Sequence, residues 1–349
     1  MSGEIRVVVV DDSAFVRKVV RQMLARSPFI DVVGTARDGE EALEIVGSLR
    51  PDVVTLDLSM PGMDGVEFLR RQMAVHPVPV VVCSITHESG MKAVEALEAG
   101  AVDFIQKPTA LATDRVFEIA EELVGKVKAA AQVKFTPNEA DGDGSASAIT
   151  SRPIPLTTRG TTEVVVIGIS TGGPQALRQM IPEFPGEFPL PIVIVLHMPV
   201  GYTAMYAYRL NEVSALTVVE AKSGEVISPG MVYVAPAGQH LTLSRGSDGQ
   251  VRCRLDDRPT DTPHRPSVDV LFESAARAYG DKVMGVVMTG MGNDGMVGAG
   301  HIKANGGRVL TEAESSCVVY GMPRAVVEAL ASDRSVPLGD MASAIMEMI

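Results

Sequence analysis

Short apolar runs alternate with stretches of helical periodicity along the first third of the chain. Five of these runs are candidate strands, at residues 5–10, 32–36, 53–56, 80–83 and 104–106. Runs that are apolar throughout are typical of strands covered on both faces, and strands that alternate with helices form parallel sheets. The pattern therefore predicts an α/β domain of successive strand–helix units over residues 1–125.

The alternating pattern is lost over residues 126–162, where Ala, Gly, Ser, Pro and Thr dominate. Such a composition is typical of a flexible linker. A second α/β pattern fills residues 163–349, with candidate strands at 164–169, 192–196, 232–235 and 283–288. Alternation over residues 241–255, interrupted by Gly-Ser-Asp-Gly at 246–249, predicts a β-hairpin. Two domains and a linker suit a chain of 349 residues.

The overall composition narrows the functional classes. A net charge of −12 disfavours binding to nucleic acid, because phosphate backbones require a positive surface. No run approaches the roughly 18 uninterrupted apolar residues of a membrane span, and the N-terminus lacks the features of a secretory signal. We therefore expect a cytoplasmic protein without direct membrane insertion. The cysteines Cys83, Cys253 and Cys317 lack the paired spacing of a zinc site or a disulfide framework, so we expect buried thiols.

Acidic side chains follow two of the predicted strands of the first domain. Asp11 and Asp12 come directly after the first strand, Asp57 follows the third, and Lys107 follows the fifth. The carboxyl ends of parallel strands meet at one edge of the sheet, where ligands bind. Three carboxylates at that edge would repel one another without a cation, and hard oxygen ligands favour Mg²⁺. Beside the metal and Lys107, the carboxylate of Asp57 could attack a phosphoryl group.

The second domain carries a serine, a histidine and an aspartate after predicted strands. Residues 168–174, Gly-Ile-Ser-Thr-Gly-Gly-Pro, form a turn that could expose the Ser170 hydroxyl or could cradle a nucleotide phosphate. His197 follows the strand at 192–196, and Asp294 lies in a glycine-rich run after the strand at 283–288. His197 could act as general base for Ser170 while Asp294 orients the imidazole. The competing residues are His240, His264, His301, Asp269 and Asp281.

The chain order of these three residues also bears on the fold. The order Ser, His, Asp differs from the Ser, Asp, His order of the α/β-hydrolase fold. We therefore predict a Rossmann-like, doubly wound, mainly parallel sheet with an antiparallel hairpin for the second domain.

The first domain resembles response-regulator receiver domains over about residues 5–124. The matching stretches are Val-Asp-Asp-Ser at 10–13, Leu-Asp-Leu-Ser-Met-Pro at 56–61 and Lys-Pro at 107–108. The resemblance implies a flavodoxin-like (βα)5 fold with Asp57 as the phosphoacceptor. It also implies that Asp12, Asp57 and the Ser59 carbonyl coordinate Mg²⁺. Asp11 would assist through water, and Lys107 would contact the phosphoryl group.

The resemblance to receivers carries two further assignments. The switch hydroxyl of that family falls best on Ser84, and Cys83 and Thr86 lie close enough to compete. Phe104 stands near the aromatic switch position of that family, and it could equally be a phenylalanine of the core.

The second domain is similar to the catalytic domain of protein-glutamate methylesterases over about residues 163–348. Besides the turn at 168–174, the matching stretches lie at 197–199, 265–272, 289–295 and 321–324. The resemblance implies Ser170 as nucleophile, His197 as base and Asp294 as orienting acid. The backbone N–H of Met291 would be an oxyanion donor. Leu196 stands where many members of that family have a glutamine, a departure that affects a neighbouring hydrogen bond and leaves the triad intact.

Together the resemblances imply a phosphorylation-activated serine hydrolase that demethylates receptor glutamates, releases methanol and also deamidates receptor glutamines in chemotaxis. The implied partners are methylated cytoplasmic domains of chemoreceptors and a sensor histidine kinase. The implied cofactor is Mg²⁺ in the receiver, with none in the esterase site, and we expect a monomer. The unphosphorylated receiver is expected to cover the esterase site. The alternatives are a nonenzymatic output module that binds a nucleotide at 168–174, and a DNA-binding response regulator, which the acidic composition disfavours.

Overall fold

The computed structural model describes residues 4–84, 90–107, 115–133 and 162–349. The strands of the first domain are β1 (Ile5–Val10), β2 (Ile30–Ala36), β3 (Val53–Asp57), β4 (Val80–Ser84) and β5 (Asp103–Gln106). The helices are α1 (Ala14–Leu24), α2 (Gly39–Leu49), α3 (Gly65–Val75), α4 (Gly90–Glu98) and α5 (Arg115–Ala130). The strands pair in parallel in the order β2-β1-β3-β4-β5, so the predicted flavodoxin-like (βα)5 fold is confirmed.

Aspartates begin two of the helices that frame this sheet. Asp38 precedes α2 and accepts a hydrogen bond from the Glu41 amide at 2.9 Å, and Asp64 precedes α3 and accepts one from the Glu67 amide at 3.0 Å. These bonds satisfy amides that the first helical turn leaves without partners. At the other end of the domain, α5 continues past Gly125 to Ala130. The beginning of the segment predicted as a linker is therefore helical.

The second domain contains a larger sheet. Its strands are β6 (Val164–Ile169), β7 (Ile192–Leu196), β8 (Thr217–Glu220), β9 (Met231–Val234), β10 (His240–Arg245), β11 (Val251–Asp256), β12 (Val283–Val287), β13 (Arg308–Glu312) and β14 (Arg334–Val336). Its helices are α6 (Gly173–Met180), α7 (Thr203–Glu212), α8 (Val268–Tyr279), α9 (Met296–Ala304), α10 (Met322–Glu328) and α11 (Leu338–Glu347). Seven strands form one parallel sheet in the order β14-β13-β12-β6-β7-β9-β8.

The order of the strands locates the place where ligands bind. The chain passes from β6 to β7 on one side, whereas β12 pairs with the other side of β6. Such a reversal is a topological switch point, and the crevice at its carboxyl edge is the usual ligand site of doubly wound sheets. The predicted hairpin is also present, as the antiparallel pair β10–β11 outside the main sheet. The predicted Rossmann-like fold is therefore confirmed.

Apolar side chains connect the two domains. The largest buried cluster includes residues of both sheets, and within it the rings of Phe104 and Tyr202 lie 4.7 Å apart between centroids. Phe104 is thus a buried core residue that also touches the second domain. None of the helices in the described ranges is long and apolar enough to cross a membrane.

Candidate phosphorylation site and active site

The acidic pocket of the first domain lies where the ends of β1, β3 and β5 meet. The ammonium of Lys107 lies 2.6 Å from Asp11 Oδ2 and 2.9 Å from Asp57 Oδ2, and all three side chains are buried. Burial raises the pKa of Asp11 despite the opposing effect of Lys107. Burial works against the charge on Lys107, but Asp57 and Asp11 outweigh it and raise the pKa of Lys107. The lysine therefore remains a cation between the two carboxylates.

The donor set of this pocket fits a hard divalent cation. Asp11, Asp12 and Asp57 each present a carboxylate oxygen, and these oxygens lie within 4.8 Å of one another. Asp12 is exposed whereas the other two are buried, so a metal could enter from the side of Asp12. Ser59, whose carbonyl is a further predicted ligand, is exposed in the loop after β3. Three carboxylates with one lysine leave an excess of negative charge that Mg²⁺ would neutralise.

The predicted switch hydroxyl lies beside this pocket. Ser84 is the last residue of β4, is buried, and accepts a hydrogen bond from the Lys107 amide through its carbonyl at 2.8 Å. Cys83 is buried in the same strand. Thr86 and Pro108 lie outside the described residues, so the choice between Ser84 and Thr86 stays a prediction.

Ser170 occupies the turn between β6 and α6. Gly172 adopts a positive φ of 78° at the start of α6, a conformation that glycine takes without steric cost. The Ser170 amide donates to the Thr289 carbonyl at 2.9 Å, and the His197 amide donates to the Ile169 carbonyl at 3.1 Å. The ends of β6, β7 and β12 are thereby joined, and Ser170, which is partly exposed, lies at their common edge.

The structure brings His197 and Asp294 together. His197 Nε2 lies 2.9 Å from Asp294 Oδ2, and both side chains are 9% exposed. The other ring nitrogen of His197, Nδ1, is buried without a hydrogen-bond partner in the described part of the chain. Nδ1 is therefore the nitrogen available to take a proton. The Ser170 hydroxyl makes no hydrogen bond within the described residues, and such bonds often tighten only when a substrate is bound.

The N-terminus of α8 holds the Asp294 carboxylate in place. Oδ1 accepts hydrogen bonds from Ser267 Oγ and the Asp269 amide, both at 2.9 Å, and Oδ2 accepts one from the Val268 amide at 2.8 Å. Burial would raise the pKa of Asp294, but the hydrogen bond and charge of His197 and the α8 amides lower it to about 2. Asp294 is therefore ionised at neutral pH and oriented toward the imidazole.

The competing residues have other surroundings. His240 is buried and bonded through its ring to the Pro259 carbonyl at 2.9 Å and the Ser267 amide at 3.2 Å, which is a structural arrangement. Asp269 Oδ1 accepts the amides of Gly295 and Gly298 at 2.9 and 2.7 Å. Three further competitors also lie outside the His197–Asp294 pair: His264 stacks on the His197 ring with centroids 4.2 Å apart, His301 is exposed, and Asp281 is exposed.

Met291 lies on the loop between β12 and α9, next to the serine. A side chain at Gly290 would lie 2.8 Å from the Ser170 Cβ atom, so only a glycine lets this loop approach the nucleophile so closely. The Met291 side chain is 40% exposed. Its methyl group lies 3.0 Å from where a Cβ would stand at Gly125 of the receiver. Met291 directly follows Gly290, which adjoins Ser170, and its role as oxyanion donor stays a prediction.

The receiver contacts the immediate surroundings of Ser170. Thr171 Oγ1 donates to Asp103 Oδ2 at 2.6 Å, and both side chains are buried. Gln175 Nε2 donates to the carbonyls of Leu97 and Ala101 at 3.3 and 3.0 Å. These contacts come from α4, β5 and the residues between them and meet the turn and the helix that follow the serine, whereas Gly125 of α5 adjoins Met291. The receiver therefore contacts residues that adjoin Ser170.

Several residues around the two sites were not predicted from the sequence to have a role. Ser267 lies within the run at 265–272 that carries the resemblance, and its hydroxyl is a donor to Asp294. Asp103 and Thr171 form a bond between residues 68 positions apart in two domains, for which the sequence offers no signal. Glu312 ends a strand that the hydrophobic pattern did not reveal.

The fold and the two sites define a response regulator with an enzyme-like output domain. The CheB methylesterase family model matches residues 165–345, and the response regulator receiver domain model matches residues 7–116. The chain is 52% identical over 340 residues to protein-glutamate methylesterase/protein-glutamine glutaminase 5 of Myxococcus xanthus (strain DK1622), covering 97% of this chain and 96% of that protein. It is 43% identical to protein-glutamate methylesterase/protein-glutamine glutaminase of Geobacillus kaustophilus (strain HTA426), covering 99% of both.

A solved structure agrees with these relatives. The crystal structure of the Thermotoga maritima CheB methylesterase catalytic domain matches with a TM-score of 0.53 and 43% identity, covering 54% of this chain and 99% of that chain. The chain belongs to the CheB methylesterase family. The nonenzymatic and DNA-binding alternatives are accordingly not favoured.

Proposed function

We propose that the chain is a cytoplasmic protein-glutamate methylesterase in which Ser170 is the nucleophile and phosphorylation of Asp57 controls access to it. The hydrogen bond between His197 and Asp294 carries the proposal, because it orients a base at the sheet edge that also presents Ser170. A loop that only binds a nucleotide phosphate would not require a hydrogen-bonded histidine and aspartate beside it. The names of the relatives support a γ-glutamyl methyl ester as substrate.

The proposed reaction uses these three side chains in turn. Ser170 Oγ attacks the ester carbonyl carbon while His197 Nδ1 takes the serine proton. The imidazolium, stabilised by Asp294, returns this proton to the methoxy oxygen, and methanol leaves as the C–O bond breaks. Water then attacks the acyl-enzyme with His197 again as base, which frees Ser170 and a glutamate carboxylate. The Met291 N–H would stabilise the oxyanion in both steps.

The same acyl-enzyme can form from a glutamine side chain with loss of ammonia. An amide nitrogen must be protonated by the imidazolium before it leaves, so this reaction should be the slower one. The double name of the relatives supports both activities. The proposed substrates are the cytoplasmic domains of methylated chemoreceptors.

The receiver provides the control. A sensor histidine kinase would be the phosphodonor, and Mg²⁺ held by Asp12, Asp57 and the Ser59 carbonyl, with Asp11 assisting through water, would neutralise the phosphoryl oxygens. The added charge on Asp57 would be sensed by Lys107 and Ser84 and would favour a receiver position that exposes Ser170. The receiver contacts with Thr171 and Gln175 support this mode of control.

The test is methanol release from a methylated receptor fragment by the full chain and by Ser170→Ala, with acetyl phosphate and Mg²⁺. Methanol should form with the first protein and not with the second. Methanol release that survives in Ser170→Ala would exclude Ser170 as the nucleophile.

A further inference from the structure

A buried carboxylate outside the triad is bonded to the loop that adjoins Ser170. Glu312, the last residue of β13, is 0% exposed, and its Oε2 accepts a hydrogen bond from the Thr289 amide at 2.9 Å. Its Oε1 accepts one from Ser316 Oγ at 3.0 Å. Burial raises the pKa of Glu312 against the opposing effect of these bonds. A buried carboxyl group is costly, so this one needs a reason beyond packing.

Thr289 connects Glu312 to the active site. Its carbonyl accepts the Ser170 amide at 2.9 Å. Its hydroxyl donates to the Thr171 carbonyl and accepts the Val319 amide, both at 3.0 Å. Met291 follows two residues later on the same loop. The position of Thr289 therefore sets the backbone of the nucleophile and of the proposed oxyanion donor together.

We infer that Glu312 is a positioning residue for the hydrolytic reaction. By holding the Thr289 amide, Glu312 fixes the distance between Ser170 and the Met291 N–H, which must match the tetrahedral intermediate. This inference rests on the proposed function. The role requires an oxygen acceptor at the full length of a glutamate side chain. It does not require a negative charge, which would oppose the developing oxyanion nearby.

Whether Glu312 acts as a hydrogen-bond acceptor or through its charge can be tested with three variants of the full chain in the presence of acetyl phosphate and Mg²⁺. Glu312→Gln keeps the acceptor, Glu312→Asp keeps the charge but withdraws the oxygens, and Glu312→Met keeps the volume and loses the acceptor. The matched control is Thr311→Val on the same strand. Thr311 is also 0% exposed, and its hydroxyl contacts Ser332 and Ser335 at 2.9 Å.

The readouts are kcat and KM for methanol release and the melting temperature of each variant. We expect Glu312→Gln to keep kcat within about twofold, and Glu312→Met to lose at least about tenfold in kcat with KM unchanged. Glu312→Asp should fall between them, and Thr311→Val should lower the melting temperature while keeping kcat.

Two outcomes would overturn the inference. One is a higher kcat for Glu312→Asp than for Glu312→Gln, which would make the charge the essential feature. The other is a loss of kcat in Glu312→Met no larger than in Thr311→Val. If Glu312→Met does not fold, the comparison of kcat between Glu312→Gln and Glu312→Asp still tests the inference. Ser170→Ala, measured alongside, distinguishes failure of this inference from failure of the proposed function. If Ser170→Ala still releases methanol, Ser170 is not the nucleophile and Glu312 has no nucleophile to position.

Discussion

Reversing the charge of Glu98 should release the esterase from the receiver without phosphorylation. Glu98 is the last residue of α4, and its carboxylate forms ion pairs with Arg178 of α6 and with Arg209 of α7, the latter at 3.4 Å. Both arginines belong to the second domain, so the pairs exist only while the domains are docked. Glu98→Arg would place a third cation between them.

The size of the effect follows from the exposure of the pairs. The side chains of Arg178 and Arg209 are 43% and 28% exposed, so water and salt screen both interactions. Exposed pairs contribute up to about 1 kcal/mol each, and exchanging attraction for repulsion should weaken docking by about 1–2 kcal/mol. If the open fraction is small, it should rise by about 5- to 30-fold. An arginine at a helix C-terminus is favourable for the helix dipole, so α4 itself should remain folded.

The assay is methanol release by the full chain without a phosphodonor, at low and at high salt. Glu44→Arg is the control, because Glu44 is exposed on α2 and the change in net charge is the same. We expect a higher basal rate for Glu98→Arg only, with a gain that shrinks at high salt. A basal rate equal to that of Glu44→Arg would refute the idea that these contacts keep the site closed.

Three further predictions address the separate parts of the enzyme. Asp57→Asn, or removal of Mg²⁺ by a chelator, should abolish the rise in methanol release that acetyl phosphate produces in the wild type. Asp294→Asn should lower kcat by on the order of 10³- to 10⁴-fold, because an amide cannot stabilise the imidazolium. The folded pKa of Asp294, about 2, lies below its ordinary value, so its contribution to stability is present above about pH 4 and is lost as the pH falls toward 2. In urea unfolding, the difference in the free energy of unfolding between wild type and Asp294→Asn should therefore become smaller as the pH falls over that range. A fragment that begins near Gly160 should be active without phosphodonor, and a fragment no faster than the unphosphorylated full chain would contradict inhibition by the receiver.

The fold was largely predictable because most strands are buried on both faces. The run Val164–Ile169 is apolar throughout and Ile5–Val10 is interrupted only by Arg6, which marks both strands clearly in the sequence. Three strands that escaped prediction are short or polar: β8 has four residues, Thr-Val-Val-Glu, β14 has three, Arg-Ser-Val, and β13 begins with Arg308 and ends with Glu312. Their places in the sheet depend on pairing with neighbouring strands: β8 pairs with β9, β13 pairs with β12, and β14 pairs with β13.

The candidate sites were predictable to the extent that they follow strand ends. Asp11, Asp57 and Lys107 come together because parallel strands bring their carboxyl ends to one edge. Two of the partners that orient Asp294 could not be foreseen, since they are backbone amides of α8 whose position depends on packing. The bond between Asp103 and Thr171 depends on how two separate domains dock, which no local pattern specifies.

The most direct test of the account is the rate at which a fluorophosphonate probe labels Ser170 in the full chain, with and without beryllofluoride and Mg²⁺ as a stable mimic of the phosphorylated state. We predict that labelling maps to Ser170 by peptide mass spectrometry and becomes faster when Asp57 carries the mimic. Labelling at another residue, or at Ser170 with equal rates in both states, would contradict it.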